Sequence, residues 1–272
     1  MASLVVIGGG RMGEALVGGL LGRGDRGPSS IVVVETSAER RAQLTAADGL
    51  GGRFEAVSVV AEVPPGADIV VAVKPSQVRA VCEDLAARQV ARLLSVAAGV
   101  TVECLESWLG GSVPVVRAMP NTPALVGEGA SAIAGGSYAG ADDLAWAESI
   151  LGAVGMVVAV GEDLLDAVTG LSGSGPAYVF LMAEALIDAG VLQGLARPMA
   201  AALTVQTLLG AARLLTESGR PPEVLRADVT SPGGTTAAGL RALEAAALRS
   251  AIIDAVSASA ARSAELGRSW EP

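Results

Sequence analysis

A glycine-rich turn near the N-terminus has the spacing that suits a dinucleotide. Gly8, Gly10 and Gly13 form a G-x-G-x-x-G pattern that follows an apolar run and opens a helical pattern. In such turns the first glycine makes the tight bend, the second admits a pyrophosphate to backbone N–H groups, and the third brings helix and strand together. Arg11 and Met12 lie between the last two glycines, at the start of the helix. The turn therefore predicts a nicotinamide dinucleotide site.

An acidic residue ends the second apolar run. Glu35 follows the glycine pattern by about twenty residues, where a carboxylate hydrogen-bonds the ribose 2′-hydroxyl of NADH and repels the 2′-phosphate of NADPH. Thr36, Ser37 and Arg40 come next and would bind that phosphate if Glu35 turned away. An ordinary strand-end acid is the alternative. The predicted cofactor is therefore NADPH or NADH, with the choice open.

Lysine and asparagine occur once each, and histidine is absent. Lys74 and Asn121 both follow predicted strands, at the edge where open α/β sheets bind ligands. We expect the lysine segment to line the cofactor cleft and the proline-stiffened asparagine loop to set the nicotinamide against the substrate. An exposed lysine and a plain turn are the alternatives. The predicted contacts are Val73, Lys74, Pro75, Met119, Pro120 and Asn121.

A second glycine-rich loop, SPGGTT at 231–236, precedes another helical pattern. Bare N–H groups at a helix start bind a carboxylate or phosphate without a cationic side chain. The alternative is that Thr235 or Ser231 merely caps the helix. The segment 171–178 also precedes a helix, and either contacts substrate or packs against the cofactor domain. The predicted substrate-binding residues are Ser231, Gly233, Gly234, Thr235 and Thr236.

Apolar runs alternate with helical patterns up to residue 161. They lack polar alternation, which predicts strands covered on both faces in a parallel sheet flanked by helices. We therefore predict an α/β fold, with a Rossmann-type doubly wound sheet in residues 1–161 and an all-α substrate-binding and dimerisation domain in residues 162–272. The strand runs are 4–8, 31–35, 68–73, 92–97, 114–118 and 155–160.

The second part consists of helical patterns rich in alanine and leucine. The segment AYVFLMAEALIDAG carries only Glu184 and Asp188 as charges and must be buried on nearly all sides. We therefore expect an intertwined homodimer, with a self-contained bundle as the alternative. The predicted helices cover about 162–172, 176–190, 197–217, 222–229 and 235–266.

Composition excludes several classes of protein. The formal net charge of −9 leaves no basic stripe for nucleic acid or anionic membranes. Glycine, proline or a charge interrupts each apolar run before the ~20 residues that span a bilayer, so we predict no membrane insertion. The N-terminus lacks signal-peptide features, which favours a cytoplasmic location. The two cysteines form neither a disulfide framework nor a metal pattern, and no metal is expected.

Five segments together carry a family resemblance: GGGRMGEA, AVKP, VVRAMPNTPALVGEG, LSGSGPAYVFLMAEALIDAG and VTSPGGTTAAGLRALE. They resemble pyrroline-5-carboxylate reductases over essentially the whole chain, and the SPGGTT stretch is the most specific. The resemblance implies reduction of L-1-pyrroline-5-carboxylate to L-proline, the final step of proline biosynthesis, by hydride transfer from NAD(P)H. It also implies an interlocked helical dimer, often assembled into a ring of dimers.

The resemblance assigns roles within the second loop. Ser231 with the backbone of Gly234 and Thr235 would bind the substrate carboxylate, and Thr236 would hydrogen-bond the ring nitrogen as the catalytic residue. The active site would lie between the cofactor domain of one subunit and the helices of its partner. Hydride transfer to a protonated C=N bond depends mainly on positioning, so the absence of histidine is no objection.

The sequence departs from the family pattern in two places, and two other functions remain as alternatives. Arg11 and the pair Glu35–Thr36 differ from the family pattern, which leaves the choice between NADH and NADPH open. A β-hydroxyacid dehydrogenase would need a lysine in the second domain, and none follows Lys74. A non-catalytic dinucleotide-sensing dimer would have no reason to keep both the SPGGTT loop and the Asn121 loop.

Overall fold

An eight-stranded sheet forms the centre of the first part of the chain. The computed structural model describes residues 4–24, 30–46, 49–50, 54–58 and 60–270. The strands are β1 (Leu4–Ile7), β2 (Ile31–Val34), β3 (Glu55–Val57), β4 (Asp68–Val71), β5 (Arg92–Ser95), β6 (Val115–Met119), β7 (Gly129–Gly135) and β8 (Gly155–Ala159). Their order is β3-β2-β1-β4-β5-β6-β7-β8. The first six follow the doubly wound dinucleotide-binding order, which confirms the predicted α/β fold.

The uninterrupted apolar runs are explained by two cores, one on each face of the sheet. In β1, Leu4 and Val6 face one core while Val5 and Ile7 face the other. The first core includes α1 and α5, and the second includes α3 and α4. Because both faces are covered, the strands need no polar alternation. These helices and α2 span Arg11–Arg23 (α1), Ala38–Thr45 (α2), Pro75–Ala86 (α3), Val102–Leu109 (α4) and Ala141–Leu151 (α5).

Sequence analysis did not predict two of the strands. β3 has only three residues, and β7 has the sequence GASAIAG, whose alanines and glycines resemble a loop. β7 runs antiparallel to β6, so this one pair departs from the predicted parallel sheet. β8 is again parallel to β7. Pairing with two neighbours, rather than strand propensity, makes β7 a strand.

Contacts between residues divide the chain into two compact units. The first unit consists of the chain up to Ser174 together with the chain from Ser257 onward, and the second unit is Gly175–Val256. The β-branched runs stop near residue 161, but the following segment still packs in the first unit, where Leu165 of the short helix α6 (Leu165–Val168) is buried beside β7. A π-helix, Thr169–Gly173, completes that segment, so most of the loop expected at 171–178 is helical.

The end of the chain returns to the first unit. The hydroxyl of Ser263 donates to Asp166 at 2.6 Å, and the thiol of Cys104 donates to the carbonyl of Trp270 at 3.3 Å. These bonds hold the chain from Ser257 onward within the first unit, whereas sequence analysis assigns that segment to the helical domain.

The second unit contains helices only. They are α7 (Gly175–Leu192), α8 (Arg197–Ser218), α9 (Pro222–Asp228), α10 (Thr235–Ala245) and the first part of α11 (Leu248–Arg268). The single helix expected over 235–266 is wrong, because Ala247 adopts a left-handed φ of 56° and separates α10 from α11. Among the described residues, Ala247 is the only non-glycine residue with positive φ.

The helices of the second unit leave much apolar surface uncovered. Phe180 and Leu181 in α7 are 62% and 67% exposed, and Leu203 in α8 is 56% exposed. By length and composition alone, the helical segments Glu162–Leu192 and Arg197–Ser218 could cross a membrane. The argument that every apolar run is too short to span is therefore wrong for these two, since alanine and glycine continue the helix without adding polarity.

Candidate active site

A cavity of about 710 Å³ opens at the carboxyl ends of β1, β2 and β4. This is the edge, at the reversal of strand order, where doubly wound sheets bind ligands. The cavity has the size of a cofactor or small-molecule pocket. Predicted cofactor residues in its wall are Gly8, Gly10, Glu35, Thr36, Val73 and Lys74, joined by Ser58, Ser76, Gln77 and Asp84, which sequence analysis missed. Ser58 follows the unrecognised strand β3, whereas Ser76 and Gln77 follow Lys74 directly.

The three glycines of the turn meet different surroundings. Gly8 has a φ of +107°, and a Cβ there would lie 2.7 Å from the carbonyl oxygen of Ala72. A Cβ on Gly13 would overlap the carbonyl oxygen of Gly8, because α1 packs directly on the turn. At Gly10 no described atom lies within 4 Å of the Cβ position. The open space before Gly10 fits a pyrophosphate approaching the N-terminus of α1.

Glu35 braces the glycine turn. Its Oε2 accepts a hydrogen bond from the Gly9 amide at 3.0 Å, and its Oε1 accepts one from the Ser37 amide at 2.8 Å. Arg40 strengthens the same turn, since its Nε donates to the Gly9 carbonyl at 2.7 Å and its Nη2 pairs with Glu14 at 2.6 Å. The side chain of Ser37 caps α2 by accepting from the Arg40 amide.

The only lysine precedes α3 as its N-cap residue, and Pro75 takes a first-turn position. Proline suits that position because its fixed φ fits the helix and its missing N–H would have had no helical partner. The Lys74 side chain is exposed and borders the cavity. Val73 borders the cavity as well, while Pro75 lies outside the cavity wall, and the role of this segment toward a cofactor stays a prediction.

Asn121 lies in the loop after β6 and bonds to two other elements. Its Nδ2 donates to the Ser172 carbonyl at 3.1 Å, and its Oδ1 accepts from the Ala130 amide at 2.8 Å. A Cβ on Gly173 would lie 2.5 Å from the Met119 methyl group, so the two segments pack closely. Met119, Pro120 and Asn121 do not border the cavity. The asparagine joins the loop after β6 to β7 and to the π-helix.

The SPGGTT loop ends at the start of α10. Gly233 has a φ of +70°, and the N-cap of α10 is Gly234, which has no side chain to cap it. Within the described residues, neither Ser231 nor Thr235 makes a side-chain bond to the helix start, so the capping alternative is not observed. Thr235 and Thr236 are exposed. The first-turn amides and the hydroxyls are thus accessible to a ligand.

Cys82 is poorly suited to act as a nucleophile. Burial, aided by the neighbouring Glu83 carboxylate, raises the pKa of Cys82 to about 12. A thiol with that pKa stays protonated near neutral pH, and the thiolate is the reactive form. Cys104 is also buried, as the sequence predicts for both residues.

Known proteins resemble the chain along its whole length. Residues 162–266 match the sequence model described as pyrroline-5-carboxylate reductase dimerisation, and residues 3–99 match that of the coenzyme F420-dependent NADP oxidoreductases. A pyrroline-5-carboxylate reductase from Synechocystis is 44% identical over 268 residues, covering 97% of this chain and 98% of the relative. The chain belongs to the pyrroline-5-carboxylate reductase family. The predicted resemblance and the prediction of an oxidoreductase are confirmed.

Solved structures of this reductase family have the same fold as this chain. The pyrroline-5-carboxylate reductase of Coxiella burnetii superimposes with a TM-score of 0.91 at 38% identity, covering 97% of this chain and 98% of that one. The Plasmodium falciparum enzyme, solved with NADP bound, gives 0.83 at 30% identity, with 98% of both chains covered. Together with the matched NADP oxidoreductase model, these findings confirm the predicted class of cofactor, NAD(P)H.

Proposed function

We propose that this chain reduces L-1-pyrroline-5-carboxylate to L-proline by hydride transfer from NAD(P)H, and that the SPGGTT loop holds the substrate. Family membership supports a reduction in proline biosynthesis. The observation that carries the residue-level proposal is the start of α10, where a glycine N-cap leaves first-turn amides and neighbouring hydroxyls accessible. The reaction needs an anion site and a hydrogen-bonding group for a ring nitrogen, and this loop offers both.

The substrate carboxylate would bind the start of α10. The amides of Gly234 and Thr235 and the hydroxyl of Ser231 would donate to its oxygens, aided by the positive end of the helix dipole. The Gly234 amide donates to the Ser231 carbonyl at 3.1 Å, and it would exchange that bond for one to the substrate. Gly233 allows the loop to turn, since its φ of +70° is unfavourable for residues with a side chain. A net charge of −9 makes such a local anion site necessary.

Thr236 would orient the ring through its nitrogen. It lies one residue inside α10, and its exposed hydroxyl is adjacent to the proposed carboxylate site. When bound, the reduced nicotinamide supplies the hydride. The protein contributes by holding the C=N bond in a reactive orientation, which is a large part of catalysis in such reactions. The hydroxyl group can also accept a hydrogen bond from the protonated ring nitrogen, or pass a proton from water to that nitrogen.

The dinucleotide would occupy the cavity beside Gly8 and Gly10. The N-terminus of α1 would face the pyrophosphate, with Arg11 and Met12 in its first turn, Gly13 keeping it close to the turn, and Lys74 across the cavity. The loop of Met119, Pro120 and Asn121 would position the nicotinamide end of the dinucleotide. The two bonds of Asn121 support this role, because they fix the loop to two separate elements.

The exposed apolar helices would be covered by a second copy of the chain. The match of residues 162–266 to a dimerisation model supports an intertwined homodimer. Lipid is the less favourable cover, because Glu184 and Asp188 would place two carboxylates of α7 in the bilayer, at about 3 kcal/mol each. A ring of dimers, the absence of nucleic-acid and membrane partners, and a cytoplasmic location stay predictions.

The function is tested by adding L-1-pyrroline-5-carboxylate to the purified protein and following NADH or NADPH oxidation. We expect oxidation with this substrate and none with 3-hydroxyisobutyrate or its oxidised form, methylmalonate semialdehyde. Thr236→Ala should lower kcat roughly tenfold or more while leaving dinucleotide affinity unchanged, since a substrate hydrogen bond contributes about 1–2 kcal/mol. Thr236→Ser should restore most activity. Thr45→Ala is the matched control, because Thr45 is exposed on α2 of the first unit and its hydroxyl donates only to carbonyls of its own helix. A folded Thr236→Ala protein with full activity would remove Thr236 from the mechanism.

A further inference from the structure

We infer that Arg117 and Glu162 are positioning residues for hydride transfer, because their ion pair ties a short helical segment to the strand that carries the nicotinamide loop. The segment comprises residues 162–173, which we call the brace. The inference rests on the proposed function, since it takes the loop at 119–121 to position the nicotinamide. Sequence analysis selected neither member of the pair.

Arg117 is a buried cation in an otherwise apolar strand. It lies in β6 between Val116 and Ala118, and only 7% of the residue is exposed. A buried ion pair stabilises a fold no more than well-packed apolar residues of similar volume do. Stability therefore gives no reason for a charge at this position. A charge-assisted hydrogen bond does, however, hold its two partners in one geometry.

Glu162 joins three elements through a single oxygen. Its Oε1 accepts from Arg117 Nη1 at 2.9 Å and from the Val102 amide at 2.7 Å. Val102 begins α4, so the carboxylate also meets the positive end of that helix dipole. Glu162 itself follows β8 and starts the brace. The strand β6, the start of α4 and the start of the brace are therefore fixed to one another.

The other end of the brace is fixed to the nicotinamide loop. Asn121 Nδ2 donates to the Ser172 carbonyl at 3.1 Å, in the π-helix that ends the brace. Between the two ends, Met119 packs in one small apolar cluster with Leu165 and Val168 of α6. A single segment of chain thus holds the end of β6 and its loop at three points.

The two stretches that these bonds join have similar lengths. From Arg117 to Asn121 an extended chain advances about 13 Å over four residues. From Glu162 to Ser172 a helical chain advances about 15 Å over ten residues. The ion pair and the Asn121 bond can therefore hold the two stretches side by side. Loss of the ion pair would leave the brace bonded to this stretch at its far end alone.

The expected consequence is a loss of rate with little loss of binding. A misplacement of about 1 Å between reacting groups can lower a rate about 100-fold. The nicotinamide loop lies outside the wall of the dinucleotide cavity, so a small shift of the loop should leave most contacts of the dinucleotide unchanged. The pair should therefore affect kcat more than Kd or KM.

The test compares the unmodified protein with Arg117→Met, using NADH or NADPH and L-1-pyrroline-5-carboxylate. The freed Glu162 carboxylate is a third exposed and still accepts the Val102 amide, so the variant buries no unpaired charge. We expect kcat to fall roughly tenfold, while the dinucleotide Kd and the substrate KM change less than about twofold. With the dinucleotide deuterated at the transferred hydrogen, the isotope effect on kcat should equal or exceed that of the unmodified protein, because hydride transfer is the step that slows.

Two further variants separate positioning from stability. Arg117→Lys retains a cation that can donate to Glu162, and kcat should stay within about threefold of normal. Arg92→Met is the matched control. Arg92 lies in the neighbouring strand β5, and its ion pairs are with Asp68 and Asp143, at 2.8 and 3.6 Å. Its loss should lower Tm without lowering kcat.

Glu162→Gln keeps the inference testable if Arg117→Met does not fold. It retains an acceptor for the Val102 amide but removes the charge that holds Arg117, so kcat should fall about threefold or more. The inference is overturned if the folded variants keep normal kcat, if Arg92→Met lowers kcat as much as Arg117→Met, or if the loss follows weaker dinucleotide binding. If the unmodified protein oxidises neither dinucleotide with this substrate, the proposed function is wrong and the inference falls with it.

Discussion

The two units of the chain cover their apolar residues in different ways. In the first unit helices of the same chain cover the central strands, and Leu4, Val5 and Val6 of β1 are fully buried, although the edge strand β8 leaves Met156 61% exposed. In the second unit Phe180 and Leu181 of the long helix α7 remain largely exposed. A soluble monomer rarely keeps such a contiguous apolar surface uncovered. The comparison indicates that the cofactor-binding half covers its central core within one chain, whereas the helical half needs a partner to cover its apolar residues.

The largest expected effect comes from placing a charge on the exposed face of α7. Phe180→Asp should weaken self-association about 100-fold or more, because an aspartate would be buried without a partner in the proposed interface. Analytical ultracentrifugation should show monomer or aggregate, and reductase activity should be lost. Tyr138→Asp, at a residue 52% exposed in the first unit, is the matched control and should leave the dimer intact. A Phe180→Asp protein that remains an active dimer would refute the assigned interface.

The first unit can be tested at two glycines that differ in the space around them. Gly10→Val should weaken dinucleotide binding about 100-fold while lowering the free energy of unfolding by no more than about 1 kcal/mol. The reason is that no described atom occupies its Cβ position, so the new side chain takes the ligand's space. Gly13→Val should fail to fold stably, because its Cβ would overlap the Gly8 carbonyl. Titration and thermal unfolding distinguish the two outcomes.

An intermediate effect is expected at Asn121. Asn121→Asp keeps the acceptor for the Ala130 amide but directs a carboxylate oxygen at the Ser172 carbonyl, so it should lower stability by about 2 kcal/mol. If the loop orients the nicotinamide, kcat should also fall roughly tenfold with little change in NADH affinity. Ser172→Ala is the matched control, since it retains the carbonyl that accepts the bond. Normal kcat in a folded Asn121→Asp protein would reduce Asn121 to a structural role.

The sequence predicted the first unit better than the second, for a physical reason. The strand runs and the glycine pattern are each visible in a short stretch of sequence. The strand runs are apolar because both faces of the sheet are covered. β7 was missed because its residues have little strand propensity and depend on pairing with β6 and β8. Glu35 was recognised, but its bonds to the Gly9 and Ser37 amides depend on the folded turn. In the second unit, alanine-rich sequence predicts helix throughout and cannot show where one helix ends.

The smallest expected effect concerns the break between α10 and α11. Ala247 lies in the left-handed region with φ 56°, which glycine adopts without the steric penalty that alanine has there. Ala247→Gly should therefore raise the free energy of unfolding by about 1 kcal/mol. Ala246→Gly is the matched control, because φ is −83° there and glycine should instead lower stability by about 0.5–1 kcal/mol. Thermal unfolding at one fixed protein concentration measures both, since dimer stability depends on concentration. If the two variants change the free energy of unfolding in opposite directions, the left-handed conformation at Ala247 is present in solution. If both variants are destabilised, α10 and α11 join as one helix in solution.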